Sequence, residues 1–229
     1  MAKIKPIHIV SQKEPITLIG GGECSASLLA RATNIGRFLI AADGGADVAF
    51  EFGKRPDALI GDLDSVSAES LSKLRHDQIH KISEQDTTDF EKCLSRIAAP
   101  LVVGVGFDGG RKDHELACLN VLVRYPQQRC VLISSDMITF LAPPRLVVEL
   151  KPGDLVSLFP MTRVRGWSEG LECPIQGLAF APDGRIGTSN RAVGSVALQF
   201  DQPGMLIMLE LSNLEQVCTA LQNTPEVWG

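Results

Sequence analysis

The chain has 229 residues, 45% of them hydrophobic and 21% charged, with a formal charge of −5; this is ordinary globular composition, long enough to bury one large core or two small ones. The acidic balance leaves no basic footprint for nucleic acid or anionic lipid, and aromatic residues at 5% are too sparse for a base-stacking surface. No apolar run approaches the roughly 20 residues that span a bilayer, and the opening MAKIKPIHIVSQKEP has no apolar signal core.

In chain order, the first half alternates strand and helix patterns. ITLIG (16–20) leads into a helical pattern over 25–33, RFLIAAD (37–43) into one over 46–52, and DALIGD (57–62) into one over 68–74. A helix predicted over 88–98 sets Phe90, Cys93, Leu94, Ile97 and Ala98 on one apolar stripe. LVVGVG (101–106), a helix over 114–125 and CVLISS (130–135) complete the series. Near-continuous apolar runs are strands covered on both faces, and this alternation predicts an α/β domain, residues 1–140, with a mostly parallel sheet between helical layers.

After APPR (142–145) the pattern becomes short β runs punctuated by turns, which predicts a smaller antiparallel β domain over 141–229. Asp183-Gly184 between apolar flanks predicts a two-residue type I′ hairpin turn. Near the end, Leu214, Val217, Cys218 and Leu221 share a helical spacing. The six cysteines are scattered without a C-x-x-C pair, and Cys93 and Cys118 fall on apolar helix faces, which reads as buried thiols in a reducing cytosol; a catalytic thiol is the lesser alternative.

In an open parallel sheet, ligands sit beyond the carboxyl ends of the strands. Four predicted strands end in acid or glycine: Gly20-Gly21-Gly22, Asp43-Gly44-Gly45, Asp62-Leu63-Asp64-Ser65, and Phe107 to His114 with Asp108, Gly109, Gly110, Arg111, Lys112 and Asp113. Any one of these ends is explained by turn chemistry; four on one rim converge in space. A further segment, EQDTTDFEKC, lets Thr87 or Thr88 cap a helix with Asp89 in its first turn. Three carboxylates from Asp62, Asp64 and Asp89 would repel one another without a cation, and oxygen-only ligands suit Mg²⁺; Asp86 competes with Asp89 for the third place. Gly21, Gly22, Gly44, Gly45, Gly109 and Gly110 would let backbone amides approach phosphate, with Arg111 and His114 beside them. For His114, capping or packing at its helix start is the plainer role. Neither a Walker A motif nor G-x-G-x-x-G is present.

AADGGAD, PDALIGDLDS, EQDTTDFEKCL and GFDGGRKDHELACLN, in this order, closely resemble the thiamine pyrophosphokinase family, and SLFP, GLECPI and TSN resemble its thiamine-binding half more weakly. The resemblance implies an ATP-binding α/β domain and a C-terminal β-sandwich, working as a cytoplasmic homodimer with thiamine near the subunit interface. It implies Mg²⁺ held by Asp62, Asp64 and Asp89, a cleft lined by Asp43, Gln85, Arg111 and Asp113, and thiamine contacts from Ser189 and Asn190. Trp167 and Phe180 are candidates for stacking on thiamine, with ordinary packing as the alternative. Gln85 stands where bacterial members often carry Lys, and Cys173 where an aromatic is common. The expected activity is transfer of a pyrophosphoryl group from ATP to the hydroxyethyl group of thiamine; a Mg²⁺-dependent phosphohydrolase and a diphosphokinase acting on a pterin alcohol are the alternatives.

Overall fold

The computed structural model describes residues 8–229; the first seven, part of the opening stretch read above for a signal, lie outside that range. The chain divides into two compact units between Val121 and Leu122. The first contains β1 (Val10–Ser11), β2 (Ile16–Ile19), α1 (Ala26–Ile35), β3 (Phe38–Ala42), α2 (Gly45–Glu51), β4 (Ala58–Gly61), α3 (Ala68–Lys73), β5 (Ile79–Lys81), α4 (Asp89–Leu94), β6 (Ile97–Ala98) and β7 (Val102–Val105). Helix α5 (Lys112–Arg124) runs through the division point.

Strands β7, β2, β3, β4 and β5 lie side by side in that order, all parallel. β2, β4 and β7 are buried along their whole length, which is why their sequences are continuously apolar instead of alternating. α1, α3 and α4 start where the sequence offers a hydroxyl: Ser25 accepts from the Leu28 amide at 3.2 Å, Ser67 from Ser70 at 3.1 Å and Thr88 from Glu91 at 3.3 Å.

Helix α4 ends four residues before its predicted limit. Ser95 Oγ donates to the Glu91 carbonyl at 2.7 Å and Arg96 to that of Lys92 at 3.0 Å, closing the last turn. Ile97 and Ala98 then extend as β6 against β1. Ile97 is buried as expected, but from a strand. β5 carries two half-buried residues and one exposed residue, too short and polar to be recognised as a strand from sequence.

The second unit is antiparallel apart from its helix. It comprises β8 (Cys130–Ile133), β9 (Met137–Leu141), β10 (Arg145–Val148), β11 (Leu155–Pro160), β12 (Val164–Leu171), β13 (Leu178–Phe180), β14 (Gly187–Phe200), β15 (Met205–Glu210) and α6 (Leu214–Asn223). Cys130–Ile133, expected among the parallel strands, pairs antiparallel with β9. The long β14 serves two sets of partners: residues 187–191 face β11, and residues 192–200 face β12 and β10. Leu214, Val217, Cys218 and Leu221 form the buried face of α6, as their spacing predicts.

The turn at Asp183-Gly184 differs from expectation. β13 pairs with β12, not with β14, and neither Asp183 nor Gly184 has positive φ. The Gly184 amide bonds the Ala181 carbonyl at 3.0 Å, so the central residues are Pro182 and Asp183. Proline's fixed φ presets the first central position of an ordinary β-turn, and that preference displaced the Asp-Gly register. Gly184→Ala should therefore change the urea midpoint by less than about 0.5 kcal/mol equivalent, since the backbone is unstrained there. A loss above about 1 kcal/mol would restore the left-handed turn.

Candidate active site

The first unit places its cleft where strand order reverses. The chain steps outward from β2 to β5 and returns on the other side of β2 as β7; beyond the carboxyl ends of such a pair, helices and loops diverge and leave a crevice. A cleft of about 520 Å³ opens there, lined in part by Gly20, Gly21, Gly22, Gly106, Phe107, Gly109 and Gly110. The backbones at the two strand ends nearly touch: a Cβ on Gly20 would lie 2.5 Å from the Gly106 carbonyl oxygen, and one on Gly22 would lie 2.7 Å from it. Gly22 donates to that same oxygen at 2.8 Å. Glycine is required by close approach here, which is a stronger reason than turn preference.

β3 and β4 carry the acids. Asp43, just past β3, is 1% exposed and sits at φ +43°. Its Oδ2 accepts from the Ser65 amide at 3.1 Å, while its Oδ1 is buried without a partner. Asp62 and Asp64 flank Leu63, itself at φ +69°. Ligand atoms of Asp43, Asp62 and Asp64 lie within 4.8 Å of one another. Gly61 makes this possible, because a Cβ there would come within 2.8 Å of Asp43 Cβ. Non-glycine residues held at positive φ cost energy and persist only when their surroundings enforce them.

Asp89 joins the group indirectly. Lys92, one turn along α4, has a side chain only 3% exposed and donates to Asp62 Oδ2 at 2.7 Å and Asp89 Oδ1 at 3.1 Å. Gln85 adds a second donor at 3.0 Å to the same Asp62 oxygen, leaving Asp62 Oδ1 buried and unpartnered. The structure thus groups Asp43, not Asp89, with Asp62 and Asp64, and ties Asp89 in through Lys92. Asp86 has no such tie; its amide is bonded by Glu84 at 3.0 Å.

Charge follows this geometry. The Lys92 hydrogen bond holds Asp62 below the usual carboxylate range against its partial burial. Burial alone would lower Lys92, but the bonds from Asp62 and Asp89 outweigh it and the ammonium is held more firmly. Asp43 is pushed up to about 6, first by burial and further by the charges of Asp89 and Asp62, with the Ser65 amide opposing.

At the mouth of the cleft, Arg111 and His114 are exposed lining residues; His114 is not packed at its helix start. Arg111 pairs with Asp113 at 2.6 Å, which holds Asp113 down at about 2. Gly44 also lines the cleft, and Gly45 opens α2 against Ile19. Cys118 lines the wall with its thiol pushed up to about 12 by burial; a neutral thiol is a poor nucleophile, so the catalytic-cysteine alternative finds no support there.

In the second unit, Ser189 is exposed at φ +64°, with its amide bonded to Ser157 Oγ at 3.0 Å. Asn190 is buried and spends its side chain on the loop beside it: it accepts from the Cys173 amide at 3.0 Å and donates to the Cys173 carbonyl at 2.7 Å. Asn190 therefore shapes the neighbourhood of Ser189 instead of presenting a free amide. Phe180 is in the core, whereas Trp167 is 39% exposed.

Lys92 and Gly61 escaped the sequence reading. The available signal for Lys92 was its position three residues after Asp89, on the same helix face; a lysine beside apolar positions reads by default as solvated.

Fold and cluster define a class of α/β protein: a switch-point cleft combining glycine-loop amides with orphaned carboxylate oxygens, equipment that suits a cation-bridged polyphosphate. Known proteins narrow this class. The profile described as thiamin pyrophosphokinase, catalytic domain, matches residues 29–133. Thiamine pyrophosphokinase 1 of rice (Oryza sativa subsp. japonica) is 30% identical over 188 residues, 67% of this chain and 71% of the relative. The Arabidopsis thaliana protein of that name is 32% identical over 155 residues, covering 59% of this chain and 58% of the relative. Among solved structures, the Candida albicans thiamin pyrophosphokinase superposes with TM-score 0.72 at 16% identity, covering 92% of this chain and 97% of its own. That of Geobacillus thermodenitrificans gives 0.69 at 23%, covering 86% and 96%; at these identities the likeness shows the fold. The chain belongs to the thiamine pyrophosphokinase family, and this membership does not favour the phosphohydrolase or pterin alternatives.

Two outcomes test the electrostatics without substrate. Lys92→Met should destabilise the metal-free protein by about 3 kcal/mol or more, because Asp62 is left as a buried uncompensated charge; a urea-unfolding loss under about 1 kcal/mol would mean Lys92 is not the counter-charge. For Asp43, a folded value of about 6, above the ordinary carboxylate range, means that ionisation opposes folding. Its contribution is fully favourable below the unfolded value and is lost as pH rises through about 6. The melting temperature of Asp43→Asn in EDTA should therefore gain on the native protein between pH 5 and pH 8, and a constant difference would contradict the assignment.

Proposed function

We propose that this chain transfers a pyrophosphoryl group from ATP to the hydroxyethyl oxygen of thiamine, giving thiamine diphosphate and AMP. The observation that carries the reading is the pair of buried orphan oxygens, Asp43 Oδ1 and Asp62 Oδ1, in a cluster with Asp64 beside a glycine-lined cleft. Buried carboxylate oxygens without hydrogen-bond donors are costly unless a cation completes them, and oxygen-only donors suit Mg²⁺.

In this reading Asp43, Asp62 and Asp64 would hold Mg²⁺, which would supply neutralisation of charge on the phosphate oxygens. Gly20, Gly21 and Gly22, with Gly109 and Gly110, offer room for backbone close to the triphosphate, and the N-terminus of α5 opens on the same cleft. Arg111 exchanges Asp113 for phosphate oxygens and stabilises the charge that spreads over the transferred group. Asp89 lines the cleft with one oxygen engaged by Lys92. Its other oxygen orients the attacking alcohol toward the β-phosphorus and accepts its proton as the new O–P bond forms. Ser189, strained where β14 pairs irregularly with β11, contacts thiamine, with Asn190 fixing the loop beside it. The α/β unit paired with a β-sandwich, the homodimer and a cytoplasmic location complete the reading; among the described residues, no helix is long and apolar enough to cross a membrane.

The deciding assay is incubation with thiamine, ATP and Mg²⁺. AMP and thiamine diphosphate should appear one for one, and ADP or free phosphate instead would replace this function with a kinase or hydrolase. Asp62→Asn should cut kcat by at least about 100-fold, on the order of losing a transition-state charge stabiliser. Retained turnover in that variant would remove Asp62 from the cation site.

A further inference from the structure

Strand β14 breaks step where it passes β11. Val156 stands opposite Asn190 but Leu158 stands opposite Gly187, so two residues, Thr188 and Ser189, face the single Ser157. That count makes a β-bulge, a device that re-aims side chains and is frequent beside active sites. Both bulge residues are exposed. Ser189 takes left-handed backbone at φ +64°, a conformation that glycine adopts without steric cost and serine does not. Its amide donates not to a backbone carbonyl across the ladder but to the Ser157 hydroxyl at 3.0 Å, on a side chain only 7% exposed.

We infer that Ser157 is a positioning residue for thiamine binding: its buried hydroxyl holds Ser189 in the left-handed bulge and so fixes the direction of that side chain without itself touching the ligand. Ser157 is the one polar residue of β11, which otherwise reads Leu-Val-Leu-Phe-Pro. A hydroxyl buried in an apolar strand is costly unless it is bonded, and the bulge supplies the bond. On the far side of Ser189 the chain is tethered separately. Asn190 Oδ1 accepts from the Cys173 amide at 3.0 Å and from the Arg191 amide at 2.9 Å, while its Nδ2 donates to the Cys173 carbonyl at 2.7 Å. Ser189 is therefore held from across the sheet and from its own neighbour. Without Ser157 its amide has no acceptor, and the residue is free to relax toward ordinary extended backbone, which turns the side chain elsewhere. Glycine would suit the bulge better, so a serine kept there under strain points to use of its hydroxyl.

This inference rests on the thiamine contact assigned to Ser189 above, and a double-mutant cycle separates the two. Turnover is measured on the full chain with thiamine, ATP and Mg²⁺. Ser157→Ala should raise the thiamine KM about tenfold, the scale of one lost hydrogen bond, and leave kcat and the ATP KM within about twofold of native. Ser157→Thr, which keeps the hydroxyl, should stay near native. In a Ser189→Ala background Ser157→Ala should have no further effect, because it acts through that side chain. Hydrogen exchange at the Ser189 amide, followed by NMR on the ligand-free protein, should quicken in Ser157→Ala. Ser157→Cys, close in size with only a weak acceptor, serves where the alanine variant does not fold. Unchanged exchange at Ser189, an unchanged thiamine KM in Ser157→Ala, or effects of the two substitutions that simply add would overturn the inference and leave the Ser189 contact standing. A Ser189→Ala variant with the native thiamine KM, or a native protein that does not turn over thiamine, overturns both.

Discussion

Four carboxylates, from Asp43, Asp62, Asp64 and Asp89, meet at one end of a parallel sheet, and a single buried lysine offsets part of their repulsion. The first unit is organised around tolerating this concentration of charge. Lys92 is held between Asp62 and Asp89, Gln85 and the Ser65 amide supply further donors, and two buried oxygens stay without any partner. In a folded protein such orphans are rare. Their persistence at a strand rim, beside glycine loops, marks a place built to be completed by a positively charged ligand.

The backbone is shaped to the same end. Asp43 and Leu63 adopt positive φ, and Gly61 is small enough for Asp43 to lie across it. The Gly20 and Gly106 backbones are nearly in contact, which brings the loops after β2 and β7 to a single crevice. These are independent local strains and close approaches, and they converge on one cleft. Ser189 in the second unit repeats the pattern on a smaller scale, a non-glycine residue at φ +64° stabilised by Ser157 and by the Asn190–Cys173 bonds nearby. Strain of this kind is retained where position is worth more than stability.

Asn190 shows how a motif residue can matter without touching a ligand. Its amide is occupied on both sides by the Cys173 backbone, so substitution there would act through the shape of the loop. Asp113 is comparable: its exposed pairing with Arg111 keeps that guanidinium poised at the cleft mouth. In both cases a contact within the protein sets where a neighbouring group can reach.

Much of the α/β unit was legible in the residues, because covered strands must be apolar throughout and amphipathic helices must repeat their apolar positions. Hydroxyl caps marked the starts of α1, α3 and α4, and the acids and glycines at successive strand ends announced a shared rim. What the linear order could not specify was which acids are neighbours. Asp43 and Asp62 meet because β3 and β4 lie side by side with Gly61 between them, and Asp89 is drawn in only by a lysine whose burial depends on α4 packing against β4. The same holds for Asp183-Gly184, whose local signal yielded to Pro182, and for Ile97, which is buried by pairing with β1 after its helix has ended. Local chemistry along the chain therefore determined the elements and the kinds of side chain at their ends. Distances between those side chains, and hence the charge each one carries, were decided by tertiary packing, because burial and Coulomb interaction depend on separation in space and not along the chain.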